Sequence, residues 1–303
     1  MPTVSSLAVG LLWLMTVRRA VENQASTTGN PSPGGDVVLV GAGDIAHCAD
    51  LSGAEATAKL LDGIPGIVFT LGDHAYPDGR PEEFANCYDR TWGRHKARTH
   101  PTPGNHDYHT PGAAGYYAYW GPAAGDPRRG YYSYEAGDWH VVVINSNCDA
   151  IGGCAAGSAQ EQWLRTDLAA HPAPCTLAYW HHPMISSGVK PSHALHPEMK
   201  PIWQALYDAG AELVINGHEH NYERFAPQDP DGRPDAARGI REIVVGVGGK
   251  DFDALVKPQP NSEVRNDSAF GVLKLTLHPK SYDWEFVPVS GATFRDAGSG
   301  VCH

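Results

Sequence analysis

The chain has 303 residues, of which 42% are hydrophobic and 19% charged, a balance that fits a packed globular protein and excludes a disordered one. Its formal net charge of −11 argues against a nucleic-acid-binding surface, which would be basic. It does not exclude a phosphate substrate, because bound metal can dominate the field at a site.

Leu7 to Val17 is an apolar run as long as the core of a signal peptide and too short to span a bilayer. Residues 1–25 are therefore read as a signal peptide with a small-residue cleavage point near Gln24–Ala25–Ser26, although Arg18 and Arg19 follow the run instead of preceding it. The competing reading is a short hydrophobic helix of a cytosolic protein. Residues 26–35 (STTGNPSPGG) form a flexible linker by composition, and residues 36–303 a single catalytic domain. The expectation is a secreted or extracytoplasmic protein with no stable membrane insertion.

Val37 to Val40 reads as a strand that ends at Gly43-Asp44, and Ile67 to Leu71 as a strand that ends at Gly72-Asp73. Between them Ser52 and Glu55 have capping-box spacing, which predicts a helix through Leu61 and so a β-α-β unit with parallel strands. His100 to Pro103 precedes Gly104-Asn105-His106-Asp107, and Tyr131 to Glu135 with Trp139 to Asn145 reads as a hairpin. Ser158 and Glu161 cap a second helix carrying Trp163, Leu164 and Leu168. Thr176 to Trp180 leads into His181-His182-Pro183, and a helix from about Glu198 to Asp208 precedes Glu212 to Ile215 and Gly217-His218-Glu219-His220. Strands are also predicted at Arg241 to Val247, Phe270 to Leu277 and Tyr282 to Val289, and residues beyond Gly249 are expected to complete the second sheet.

The six cysteines include no C-x-x-C pair, which removes support for zinc-ribbon and thioredoxin-like readings. Cys148 and Cys154 flank Gly152-Gly153 and suit a small disulfide loop. Cys48 with Cys87 and Cys175 with Cys302 are the expected remainder, although spacing alone leaves connectivity open and reduced thiols are the alternative.

Parallel α/β sheets place ligand sites beyond the carboxyl ends of their strands, where all five polar clusters fall. One such cluster would be read as an ordinary polar turn; five together point to a site. Asp44, Asp73, Tyr76, Asn105, His181, His218 and His220 combine hard oxygen donors with imidazole nitrogens, a set suited to first-row metals. Two adjacent metals form a clamp for in-line displacement at phosphorus.

Gly43-Asp44, Gly72-Asp73-His74-Ala75-Tyr76, Gly104-Asn105-His106-Asp107, His181 and Gly217-His218-Glu219-His220, in that order, resemble the five-block signature of the metallophosphoesterase (calcineurin-like phosphoesterase) superfamily. The resemblance runs from Asp36 to about Gly249. Within the superfamily the chain resembles the purple acid phosphatase branch. Ala46 stands where most relatives carry the histidine of Asp-x-His, Tyr76 stands three residues after Asp73, and Gly217 to Arg224 reads GHEHNYER.

The resemblance implies an α/β fold, a four-layer α/β/β/α sandwich of two mixed sheets flanked by helices. It implies two metal ions, with Asp44, Asp73, Tyr76 and His220 at the first and a shared Asp73, Asn105, His181 and His218 at the second. A phenolate at Tyr76 favours Fe(III), leaving Fe(II), Zn or Mn for the other ion. His182 then stands behind or outside the ligand set, and His47 at the pocket edge. His106 is expected near the phosphate, with Asp107 orienting it; His193 and His196 are the candidates for a further catalytic histidine, and Arg224 is expected to brace the rim. The implied reaction is hydrolysis of small phosphate monoesters by hydroxide generated at the metals, of acid phosphatase type. The alternative is a phosphodiesterase of the same fold acting on nucleotide or phospholipid diesters. A binding protein that kept the fold would be expected to have lost a ligand. Oligomeric state is left open.

Overall fold

The structure is a computed structural model that describes residues 34–188 and 196–303. The expected signal peptide, most of the linker and His193 lie outside the described residues. Along the chain come β1 (Val37–Ala42), β2 (Ala46–His47), α1 (Ser52–Gly63), β3 (Ile67–Leu71) and β4 (Ala75–Tyr76). α2 (Pro81–Glu83) runs through a π-helical turn at Phe84–Tyr88 and a 3-10 segment at Trp92–Arg98 to β5 (Thr99–Thr102). α3 (Ala114–Trp120), β6 (Tyr132–Ala136), β7 (Trp139–Val143), α4 (Ala159–Ala170), β8 (Cys175–Trp180) and α5 (Lys200–Asp208) follow. β9 (Leu213–Asn216), β10 (Tyr222–Phe225), β11 (Arg241–Val245), β12 (Ser262–Asn266), β13 (Gly271–His278), β14 (Ser281–Pro288) and β15 (Ala297–Val301) complete it.

One sheet has the order β15-β14-β13-β1-β3-β5 and the other β12-β10-β11-β9-β8-β7-β6, while β2 and β4 pair separately. β1, β3 and β5 are parallel, as are β7, β8, β9 and β11, so their carboxyl ends fall on one side of each sheet. The central strands read as unbroken apolar runs because both faces are covered. Side chains alternate between faces: Leu177 and Tyr179 of β8 join the large core with the first sheet, while Ala178 and Trp180 pack with Leu164 of α4 and Ile202, Trp203 and Leu206 of α5. α1 packs on the first sheet through Ala54, Ala58 and Leu61, at helical spacing. The result is the expected layered α/β/β/α arrangement. Among the described residues no helix is long and apolar enough to cross a membrane.

Two expectations change. Ser52 is not the cap of α1 but its first residue, and its N–H donates to Asp50 Oδ1 at 2.9 Å, so the aspartate two residues earlier takes the capping role. Beyond Gly249 only β12 joins the larger sheet, whereas β13, β14 and β15 extend the first sheet from the edge of β1. Adjacent hairpin strands pair most readily with each other, and β13 carries the whole β13-β14-β15 meander to β1. The three cysteine pairs are Cys48–Cys87, Cys148–Cys154 and Cys175–Cys302, as expected.

Candidate metal centre

Asp44 follows β1, Asp73 follows β3, His181 follows β8 and His218 follows β9, so four strand ends deliver four of the predicted ligands to one rim. Asp44, Asp73 and His218 all have left-handed backbones, with φ of 61°, 52° and 70°. That conformation costs a non-glycine residue about 1–2 kcal/mol, and it persists here because the turns lock one another. His218 N–H donates to Asp44 Oδ2 at 2.8 Å, and His106 N–H donates to Asp73 Oδ1 at 2.8 Å. Each carboxylate is thereby anchored by one oxygen and free to aim the other. The neighbouring glycines leave the room this needs: a Cβ on Gly104 would fall 2.1 Å from Asp73 Oδ1.

The aimed oxygens converge. Tyr76 Oη lies 2.8 Å from Asp44 Oδ1, 3.0 Å from Asp73 Oδ2 and 3.3 Å from His220 Nε2. On the other side of Asp73, its Oδ2 lies 3.5 Å from His181 Nε2, which is 2.9 Å from Asn105 Oδ1 and 3.1 Å from His218 Nδ1. The seven predicted residues thus form two abutting groups that share Asp73 Oδ2. Six of the seven are buried and Asn105 is half-buried.

The histidines are oriented from behind. His181 Nδ1 donates to the Leu71 carbonyl at 2.6 Å, which turns Nε2 toward Asn105 and Asp73. His220 Nδ1 faces the Asp251 carboxylate, which turns its Nε2 toward Asp44 and Tyr76. Such outer partners set which nitrogen a histidine presents to a cation.

Electrostatically the carboxylates hold two of the cluster's imidazoles in the charged form. Burial opposes charge on His181, yet Asp73 and Asp44 hold its pKa up at about 9; burial opposes it on His220 too, where Asp251 and Asp44 hold it up at about 10. Burial favours a protonated Asp73, but His181 and His106 outweigh it and keep the carboxyl well below the usual range. Burial, then Asp44 and Asp73, push the Tyr76 phenol well above its ordinary value. Tyr76 would become a phenolate only beside a strong cation, and the oxygens and imidazoles already facing it are the donors such a cation takes.

An open pocket over this cluster is lined by Asp73, Tyr76, Asn105, His106, His218, His220, Lys250 and Asp251. His106 Nδ1 contacts the Pro77 carbonyl at 2.6 Å and its ring packs on Tyr76 with centroids 4.5 Å apart, leaving Nε2 as the nitrogen nearer Asp73, at 3.9 Å. His47 sits at the edge, its ring centroid 6.5 Å from that of Tyr76. His196 packs against His182, with centroids 4.3 Å apart, and lies 5.8 Å from the His218 ring. His182 is buried with Nδ1 2.8 Å from Ser146 Oγ, and it offers a ligand atom within 4.8 Å of those of His181 and His218, so the geometry does not set it apart from them.

Two expected roles do not hold. Asp107 does not touch His106: its Oδ2 takes N–H groups from Asp73 at 3.1 Å and Gly104 at 2.8 Å and faces His74 Nδ1 at 3.0 Å, so it ties the Asp73 and Asn105 loops together. Arg224 is not at the rim but between the sheets, paired with Asp296 at 2.7 Å and with Glu263. Lys250 and Asp251 were missed. They follow Gly248-Gly249 just past β11, so the strand-end rule that marked the other clusters applied to them as well. Gly249 is at that place because the turn meets α1: its φ is 146° and a Cβ on it would lie 2.3 Å from the Ala54 backbone nitrogen.

The sequence model of the family described as "Calcineurin-like phosphoesterase" matches residues 43–222, more than half of the chain. Among curated proteins, the chain is 33% identical to purple acid phosphatase 15 of Arabidopsis thaliana over 97 residues, 31% of this chain and 18% of that one. It is 29% identical to purple acid phosphatase 18 of the same plant over 150 residues, 46% of this chain and 32% of the relative. The match therefore spans a third or less of those relatives' length. The solved purple acid phosphatase from yellow lupin (Lupinus luteus) seeds superposes with a TM-score of 0.68 at 16% identity, covering 89% of this chain and 55% of that one, a likeness of fold.

Proposed function

The chain belongs to the calcineurin-like phosphoesterase family and is similar to its purple acid phosphatases; from that premise we propose that it is an extracytoplasmic, metal-dependent phosphomonoesterase. The observation that carries this reading is the division of seven side chains into two groups around one shared carboxylate oxygen, Asp73 Oδ2. Asp44, Asp73, Tyr76 and His220 would hold one ion, with Fe(III) favoured by the phenol; Asp73, Asn105, His181 and His218 would hold Fe(II), Zn or Mn. When bound, such a pair supplies Lewis acidity that offsets phosphate charge and acidifies water.

The chain's own residues do the rest. Asp44 and Asp73 keep fixed directions because backbone N–H groups anchor their second oxygens. His106, with Nδ1 engaged by Pro77, has Nε2 left to hold a proton for the leaving oxygen. His196 stands beside the second group, and His193 and His196 remain the two candidates for the further histidine. Lys250 lines the pocket wall with its ammonium paired to Asp251 at 2.8 Å, so a phosphate would meet it as one half of an ion pair. The three disulfides fit an oxidising compartment, which supports the secreted reading.

The test is phosphate release from an aryl monoester and from the matching diester, from pH 4 to 9, by the purified chain and by Asp73→Asn. Monoester turnover on the acidic side, lost on chelation and in Asp73→Asn, is expected. Turnover of the diester alone would assign the alternative substrate class. Full rate and full metal content in Asp73→Asn would overturn the ligand assignment.

A further inference from the structure

We propose that the β6 edge of the larger sheet carries a separate structural site for a borderline divalent cation, zinc being the best match, held by His140, Asp167 and His171. Their ligand atoms all lie within 4.8 Å of one another. His140 comes from β7, Asp167 from the last turn of α4, and His171 is the residue that ends that helix. Asp167 and His171 are four residues apart, the spacing that brings two side chains to one helix face.

The donors are arranged from behind as metal-binding histidines are. His140 Nδ1 lies 2.9 Å from Glu135 Oε1, its cross-strand partner on β6, which turns His140 Nε2 to Asp167 Oδ2 at 2.8 Å. Ser133 Oγ donates to Asp167 Oδ1 at 2.9 Å and fixes the carboxylate, while His171 Nδ1 donates to the Asp167 main-chain carbonyl at 2.9 Å and stands 3.3 Å from Asp167 Oδ1. A carboxylate behind a histidine whose other nitrogen faces an ion is a recurring zinc arrangement. Two imidazoles with one carboxylate are also a known three-residue zinc set that leaves a position for water. An ion at this point would displace the proton that His140 shares with Asp167.

The last turn of α4 contains no Lys or Arg, and His171 closes it through that bond to the Asp167 carbonyl. His140 and Asp167 are buried while His171 is half exposed, so the site is closed on the sheet side and open to entering ions at His171. It is remote from the phosphoesterase cluster. His140 pairs with Thr176 at the start of β8, five residues from His181, which is about 16 Å along a strand. The ion would staple the β6–β7 hairpin to α4 and take no part in turnover.

The full chain and its His171→Ala and Asp167→Asn variants are each equilibrated with micromolar zinc, freed of loose metal and assayed for zinc per chain, for zinc-dependent Tm and for esterase rate. The expected result is one fewer zinc ion in each variant than in the parent, a smaller rise in Tm with zinc, and an unchanged rate. Because His171 lies at the surface, His171→Ala keeps the fold and carries the test even if Asp167→Asn does not. Equal zinc content and equal Tm response in the parent and His171→Ala would overturn the proposal and leave the cluster an ion network only. Loss of rate together with the zinc would place the lost ion in the catalytic cluster and overturn it too.

Discussion

The Asp251 carboxylate faces Nδ1 of His220, and that contact leaves His220 Nε2 3.3 Å from both Asp44 Oδ1 and Tyr76 Oη. Asp251 rides on the Gly248-Gly249 turn after β11, and the turn itself is tied down where Lys250 N–H donates to the Asp44 carbonyl at 3.0 Å. One short segment therefore positions a histidine and ties down the backbone of Asp44 in the same group.

Asp251→Ala should therefore lower metal content and phosphate release together, by about 10–100-fold in affinity or rate, the usual effect of removing a partner behind a ligating histidine. Asp251→Asn, which can still accept from Nδ1, should lose less. Metal analysis beside kcat and KM for an aryl monoester checks both. An unchanged metal content with a raised KM would instead make Asp251 a contact of the substrate.

The cation-free chain should have a distinctive pH profile. His181 and His220 are held at about 9 and about 10 against an ordinary 6.5; burial opposes both shifts, and Asp73 and Asp251 respectively lead the groups that outweigh it. A folded-state pKa above the unfolded one stabilises the fold fully below about pH 6.5, and the stabilisation is lost as pH rises through about 9 and then about 10. Chelated protein should therefore lose Tm from neutral pH toward pH 10, and metal-loaded protein should lose less because its imidazoles no longer carry those protons. Thermal unfolding of both forms across that interval tests it. A chelated chain as flat as the loaded one would mean that these imidazoles do not carry the charge.

The parallel strands and the seven clustered side chains were legible because each signal is local: an apolar run, then glycine, then a polar residue. β10 was hidden for a physical reason. Its sequence is YERF, and Glu223 and Arg224 are buried by hydrogen bonds and ion pairs instead of apolar contacts, so hydropathy does not mark it as a strand. β12 and β15 are half-exposed edge strands with little apolar content. The role of Asp107 was misread because sequence adjacency pointed to His106, whereas the loop turns it inward to the buried His74. Lys250 and Asp251 were legible by the same strand-end logic and were passed over because β11 was read on through Val247, which obscured where its polar turn begins.

The disulfides should differ in value according to the loops they close. Cys148–Cys154 spans 6 residues, Cys48–Cys87 spans 39 and Cys175–Cys302 spans 127. Loop entropy then gives about 2, about 4 and about 5 kcal/mol respectively. Cys302→Ser paired with Cys175→Ser should lower the urea midpoint more than Cys148→Ser paired with Cys154→Ser. The reverse order would mean that native packing around the small loop matters more than chain entropy.

Arg224 offers a way to separate stability from catalysis. It leaves β10 in the larger sheet and meets Asp296, which precedes β15 in the other sheet, through Nε at 2.7 Å and Nη2 at 3.2 Å. Tyr222 Oη and Trp284 Nε1 donate to the same carboxylate at 2.7 and 3.2 Å, so Asp296 is the hub of a buried network between the sheets. Removing one partner of a buried pair strands the other charge and costs about 3–5 kcal/mol. Here Glu263 still faces Arg224, which puts Asp296→Ala toward the lower end. Because neither residue lines the pocket, kcat/KM for an aryl monoester should hold while the urea midpoint drops. A variant that keeps its stability but loses turnover would return Arg224 to the substrate rim; a loss of stability with turnover intact would place its role in joining the two sheets.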